Sequence, residues 1–189
     1  MTLSPSIMRA ELRKFFVPPV QPSDKPKARR QWANAYDTYA KLATDVSGDV
    51  VTSVNKPGFQ SALIFSEKSG TPAQAAAEFE AAFIAYWTGA TFAVGAVPLP
   101  SAPCPSIPPA PLWATEATSV VLSVAPGLAN RLLPIFTNNS PNQSVSRVTK
   151  QIADAFHAAT TTDVLVLITG LTLPPPPPGL PVTNTCTVF

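Results

Sequence analysis

Prolines constrain this chain more than any other residue type, since 23 of its 189 residues are proline, roughly 12% against a typical ~5%. Seven of them lie within residues 97–113, VPLPSAPCPSIPPAPLW, and five more follow one another at residues 174–178. Proline lacks a backbone N–H and clashes with the preceding helical turn, so neither stretch can form a helix interior or a central strand. Both are therefore predicted to be extended, in the polyproline II conformation.

The chain carries little charge for a globular protein. Charged residues make up 13% of it, about half of the usual ~25%, whereas the hydrophobic fraction of 46% is ordinary. Intrinsic disorder requires low hydrophobicity with high net charge, so this composition indicates a folded chain. A surface with so few charges would limit the solubility of a free monomer, and we expect neighbouring molecules to cover much of it.

The net charge of +2 conceals an uneven distribution. Residues 1–30 contain seven basic and two acidic side chains, a balance of +5, which leaves −3 for the remainder. Such a segment is either a solvated surface or a docking site for an acidic protein surface. Nucleic acid is the less favoured partner, because the nearby aromatics Phe15, Phe16 and Trp32 have the spacing of a helical core face.

Hydrophobic periodicity predicts several helices. The clearest begins at Thr71, where T-x-x-Q forms a capping box and Pro72 suits the first turn. Its uncharged continuation over residues 81–97 is at the short limit for a membrane span and contains Gly and Thr, so a buried helix is the better interpretation. The other predicted helices cover residues 4–16, 27–45, 58–68, 128–137 and 142–160. Pro134 is expected to kink or stop the helix over residues 128–137.

Two apolar stretches, residues 119–124 and 163–171, are predicted strands, and their order around a helix permits a small parallel pair. We therefore predict a mainly α fold: a helical bundle-like body with a small two-stranded β element and extended proline-rich arms. The predicted organisation is a basic N-terminal helix and connector (1–26), a helical half (27–96), a polyproline linker (97–113), a mixed helix and strand half (114–170) and an extended C-terminal arm (171–189).

The sequence holds little that supports catalysis. His157 is the only histidine, and neither Cys104 nor Cys186 has a histidine at motif spacing. No phosphate-binding loop, zinc-protease motif or calcium loop occurs, and the N-terminus lacks the pattern of a signal peptide. We predict no enzyme, cofactor, metal or small-molecule substrate. A hydrolase is the remaining enzymatic alternative, and it would need one of the two thiols within hydrogen-bonding distance of His157.

Five segments resemble small virion structural proteins of tailed bacteriophages: MRAELRKFF, WANAYDTYA, FEAAFIAYWTGATF, PGLANRLLPIF and IADAFHAATTTDVLVLITGLTLPPPPP. The resemblance implies a non-enzymatic protein present in several copies and joined through extended termini. It favours the head–tail (neck) or tail region of a virion assembled in the host cytoplasm. A capsid-decorating protein or a host-facing adaptor is the alternative.

The expected partners are copies of this chain and other virion proteins, with no membrane. The predicted assembly contacts are basic side chains near the N-terminus together with residues of the C-terminal arm. They are Arg9, Arg13, Lys14, Arg29, Arg30, Pro174, Pro175, Pro176, Pro177, Pro178, Leu180, Val182, Val188 and Phe189.

Overall fold

A computed structural model of the chain describes residues 3–16, 22–44, 50–65, 70–92, 112–122, 127–138, 144–172 and 181–187. Helices account for most of these ranges. They are α1 (Pro5–Phe16), α2 (Lys25–Ala40), α3 (Lys56–Ala62), α4 (Pro72–Trp87), α5 (Leu128–Thr137) and α6 (Val145–Asp163). The strands are β1 (Val51–Ser53), β2 (Thr91–Phe92), β3 (Leu112–Leu122), β4 (Val164–Thr172) and β5 (Pro181–Thr187).

Three of the helices begin with a proline in the first turn and a side chain that caps it. Asp24 accepts a hydrogen bond from the third residue of α2, and Asn55 does the same for α3. At α4 the predicted capping box is confirmed: the Thr71 hydroxyl accepts from the Gln74 N–H at 3.2 Å, and the Gln74 amide oxygen accepts from the Thr71 N–H at 2.9 Å. Local sequence therefore determines where these helices start.

The helix ends depart further from the predictions. α4 stops at Trp87, and Gly89, with a φ of +75°, turns the chain so that β2 can begin two residues later. α2 ends at Ala40 rather than at residue 45, and α5 continues past Pro134 to Thr137. No helix in the described ranges is both long enough and apolar enough to cross a membrane.

The helical body packs around a core of aromatic side chains. α1 contacts α2 and α6, while α4 contacts α3 and α5. Tyr36 of α2 lies at the centre, with its ring 5.4 Å from Phe59, 4.9 Å from Tyr86 and 5.1 Å from Phe156. All four side chains are fully buried, and each removes ~150–250 Å² from water. The prediction of a mainly α fold with a small β component is confirmed.

Two antiparallel sheets complete the fold. β1 and β2 pair through Val51 and Phe92, a sheet that the sequence analysis did not predict. β3, β4 and β5 form the other sheet, with β4 in the middle. The two predicted strands overlap β3 and β4, but they pair antiparallel, so the suggested parallel pair is wrong.

Part of the predicted C-terminal arm belongs to this sheet. β5 pairs with β4 from Leu171↔Pro181 to Leu165↔Thr187, so the last part of the arm is a strand in a hairpin. Leu112 and Trp113, predicted to end the polyproline linker, begin β3 instead. The rest of that linker lies outside the described residues.

The sheet joins the helical body without a loop. α6 ends at Asp163 and β4 begins at Val164, which is fully buried. The Asp163 carboxylate accepts hydrogen bonds from the Gly127 N–H at 2.9 Å and from Arg131 Nη1 at 2.7 Å. These bonds attach the start of α5 to the junction between α6 and β4.

Candidate functional site

The largest cluster of buried polar side chains among the described residues is a hydrogen-bonded network that joins α2 to α4 and α6. The Trp87 indole N–H donates to the Tyr36 hydroxyl at 2.7 Å. The Thr160 hydroxyl uses its proton on the Phe156 carbonyl, so the Tyr36 hydroxyl donates to Thr160 at 2.9 Å. Burial raises the pKa of Tyr36 well above its ordinary value, and the phenol therefore stays protonated.

Asp37, the next residue of α2, continues this network toward the surface. Its carboxylate accepts from the Tyr86 hydroxyl at 3.0 Å and pairs with Lys41 at 3.0 Å and Lys56 at 3.1 Å. Burial alone would raise the pKa of Asp37, but the bonds from Lys41, Lys56 and Tyr86 outweigh it and hold the pKa below its ordinary value. The carboxylate is thus an ionised anchor for three partners, and it is not poised to accept a proton.

His157 lies beside the same network. Its Nδ1 is 2.7 Å from the Tyr39 hydroxyl, and desolvation lowers the pKa of the imidazole, an effect that Asp154 partly opposes. The thiol partner that a hydrolase would need is not placed, because Cys104 lies outside the described residues and Cys186 is described only as a backbone position in β5 opposite Val166.

These polar groups bond to one another and so join α2, α4 and α6. Within the described ranges no group of three or more His, Cys, Asp or Glu side chains could hold a metal ion. The arrangement is a structural link between helices in the body.

The predicted assembly residues of α1 have different surroundings. Arg9 is partly buried, and its Nη2 donates to the Ser146 hydroxyl of α6 at 2.8 Å. Arg13 and Lys14 are exposed on the last turn of α1, and Lys14 pairs with Glu11. Arg9 thus joins two helices of the same chain, while the other two side chains face outward.

Arg29 and Arg30 of α2 are brought together with α3. They line a groove of about 330 Å³ whose other walls are Pro26, Pro57, Gln60 and Ser61, named here the basic groove. Arg29 Nη2 donates to the Ile64 carbonyl at 2.8 Å. Ile64 is 58% exposed, so an apolar residue lies beside the cationic Arg29. This combination suits an acidic segment of a protein.

A second groove opens between the end of α1 and the start of α2. Phe15, Phe16, Pro22 and Trp32 line a volume of about 260 Å³, named here the aromatic groove. The Trp32 ring lies 5.6 Å from Phe15 and 5.7 Å from Phe16, both edge-on. Phe15 and Trp32 are buried, as their helical spacing predicts, whereas Phe16 is only partly buried.

This groove was not predicted from the sequence, although Phe15 and Phe16 are adjacent on α1. Consecutive residues on a helix point about 100° apart, so one member of such a pair can lie at the edge of the apolar face. Phe16 has that position.

The predicted contacts of the C-terminal arm are described in part. Val182 lies in β5 opposite Gly170. The remaining ones, Pro174, Pro175, Pro176, Pro177, Pro178, Leu180, Val188 and Phe189, lie outside the described residues. Their role as contacts stays a prediction.

Comparison with known proteins identifies no relative of this chain. No family model matches it, and neither the search of curated proteins nor that of solved structures finds a match. The function is therefore argued from the residues and their geometry.

Proposed function

We propose that this chain is a non-enzymatic structural subunit of a tailed-phage virion, assembled in several copies in the head–tail (neck) or tail region. The observation that carries the proposal is the sheet β3–β4–β5. Its outer strands β3 and β5 each have one edge that is hydrogen-bonded to no described strand. An edge strand offers a row of backbone N–H and C=O groups to another chain, so this sheet is suited to joining subunits.

Two further observations favour a structural role over a catalytic one. The buried polar groups of α2, α4 and α6 are bonded to one another, so they link these three helices within the body. The charge content of 13% is low for a surface that stays in water, and it suits a chain whose neighbours cover it. The place in a virion rests on the sequence resemblance alone.

Removal of residues 173–189 tests the proposal. The deletion removes β5 but none of the six helices, so the helical circular dichroism should persist. We expect the truncated chain to lose its place in assembled particles, and the purified protein to lose its multi-copy form in sedimentation. Normal incorporation of the truncated chain into particles would sink the proposal.

A shorter deletion provides the matched control. Removal of residues 188–189 keeps all of β5 and takes away only Val188 and Phe189. Assembly that survives the short deletion and fails after the long one assigns the contact to residues 173–187, which include β5. Failure of both assigns a share to the last two side chains.

A capsid-decorating protein or host-facing adaptor is the second candidate, and the basic groove with its exposed Ile64 favours it. An adaptor would use that groove to bind one acidic partner while remaining a monomer. Light scattering after size exclusion at micromolar concentration separates the two: a monomer favours the adaptor, and a multi-copy species favours the structural subunit.

A further inference from the structure

We propose that the aromatic groove binds residues 97–111 of a second copy of this chain, held in the polyproline II conformation. This inference rests on the proposed function, which supplies the second copy. It adds a contact between copies that is separate from the sheet edge. Phe16 and Trp32 form one side of this contact, and a proline-rich segment forms the other.

The groove has the composition that recognises polyproline. Polyproline segments dock in grooves lined by aromatic rings, because the flat rings pack against the pyrrolidine rings of a ligand that is already extended. Here the Phe15, Phe16 and Trp32 rings lie within 5.4–5.7 Å of one another, and Pro22 closes the side. None of the four lining side chains carries a charge, so an uncharged ligand can bind there without removing water from a charged group.

The floor of the groove is fixed in place. The Trp32 ring packs against Phe79 of α4 at 4.6 Å on its inner side, and only 8% of Trp32 is exposed. Phe16 forms the more exposed wall. A ligand would therefore meet a rigid floor and one ring whose burial it completes, so little ordering entropy opposes binding.

Residues 97–111 have the matching pattern. The segment VPLPSAPCPSIPPAP contains no charged residue, and Pro105, Pro108 and Pro111 follow one another at intervals of three. Polyproline II has three residues per turn, so these three prolines share one side of the segment. A second pair at the same interval, Pro100 and Pro103, precedes them.

The length of the segment favours a neighbouring copy. β2 and β3 contact each other, and β3 is about 36 Å long at ~3.3 Å per residue. The 19 residues between Phe92 and Leu112 can extend roughly 59 Å at ~3.1 Å per residue, more than the gap between these strands requires. Because β2 and β3 of one body hold both ends of this stiff, overlong segment, we expect its middle to bow away from that body, toward a neighbouring copy.

Two variants test the proposal by complementation. Phe16→Lys places a charge in the groove, and the triple substitution Pro105→Ala, Pro108→Ala, Pro111→Ala removes the extended bias of the ligand. We expect each variant alone to self-associate at least tenfold more weakly than the wild type in sedimentation equilibrium. An equimolar mixture should form heterodimers, because one variant supplies an intact groove and the other an intact segment.

The matched control is Leu133→Lys, which makes the same apolar-to-Lys change at a 38% exposed position of α5. It should leave association unchanged. If Phe16→Lys fails to fold, as judged by circular dichroism, Phe16→Leu takes its place, since it keeps an apolar side chain but removes the ring. A labelled peptide of residues 97–111 gives an independent readout by fluorescence anisotropy on the triple variant, whose groove is intact.

Each outcome decides between the two proposals. Heterodimers in the mixture, and saturable peptide binding that Phe16→Lys abolishes, support docking between copies. If the wild type and both variants associate equally, assembly stands through another surface and the groove proposal is overturned. If the triple variant binds no peptide, because residues 17–21 or the chain's own segment fill the groove, the proposal is also overturned. A wild type that stays monomeric yet binds the peptide in the groove refutes the multi-copy function and keeps the recognition.

Discussion

Two successive turns of α2 present aromatic side chains in opposite ways. At the middle of the helix, the Trp32 ring lies edge-on to Phe15 and Phe16, and a groove of about 260 Å³ remains beside them. One turn later, Tyr36 and Asp37 bond to α4 and α6 through directed hydrogen bonds, and Tyr36 is fully buried. One helix therefore carries a closed contact and an open one.

The difference shows how polarity distinguishes a joint within the body from a surface for others. A buried hydroxyl or carboxylate must keep its partners, so the contact made by Tyr36 and Asp37 tolerates only one arrangement of α2, α4 and α6. Contact between rings is less directional and accepts another apolar or proline-rich surface. Substitutions at Tyr36 or Asp37 should therefore reduce folding stability more than substitutions at Phe16 do.

Among substitutions of the hydrogen-bonded network, the largest loss of stability is expected from Asp37→Ala. It leaves the Tyr86 hydroxyl without its acceptor and separates two lysines from their carboxylate. Both lysines are partly exposed and can be hydrated, with 56% and 32% of their side chains accessible. We therefore expect a loss of about 3 kcal/mol in the free energy of unfolding, measured by urea denaturation.

The pH dependence of the same variant sharpens this test. Because the folded state lowers the pKa of Asp37, its contribution is present above the unfolded pKa of ~3.9 and is lost as the pH falls through the lower folded value. Asp37→Ala should therefore lose part of the decline in stability that the wild type shows in acid. Asp37→Asn is the control, since it keeps an acceptor for Tyr86 and should cost less. Equal costs for Ala and Asn would contradict the role of the Tyr86 bond.

Tyr36→Phe is expected to have an intermediate effect. The substitution keeps the ring contacts but leaves the Trp87 indole N–H without its acceptor in a fully buried site. The cost of such an unpaired donor is about 2 kcal/mol. Thermal unfolding measures it, and Thr160→Val, which removes the other partner of the hydroxyl, should couple to it in a double-mutant cycle. Additive costs would contradict a shared network.

The smallest effect on stability is expected at the aromatic groove. Phe16→Ala removes a ring that is only partly buried, so the loss should be about 1 kcal/mol, below the ~3–5 kcal/mol of a fully buried Phe. Phe156→Ala, at a fully buried position, is the comparison that should reach the larger range. A cost for Phe16→Ala equal to that of Phe156→Ala would mean that the groove belongs to the core.

The sequence predicted the helices well where side chains act locally. Thr71, Pro72 and Gln74 place the start of α4, and the aromatic face of that helix forms core as expected. It did not predict the pairing of β1 with β2 or of β5 with β4. Those strands are short or rich in Thr, and their pairing depends on residues distant in the chain that no local pattern identifies.

The candidate sites were predictable to a smaller extent. Arg29 and Arg30 could be selected as basic residues, but the groove that they share with α3 depends on how two helices pack. Arg9 has the same charge and instead bonds to α6. The bonds that join Tyr36 to Trp87 and Thr160, and Asp37 to Tyr86, were equally hidden, because these partners are 49 to 124 residues away in the chain.

The direct passage from α6 into β4 has a mechanical consequence. No residue between Asp163 and Val164 is available as a hinge, and Asp163 is tied to Arg131 of α5. A force applied to the sheet is therefore transmitted into a helix about 28 Å long, at ~1.5 Å per residue, that packs against α1. A force on β4 therefore acts directly on the helical body, because no loop between α6 and β4 can extend to absorb it.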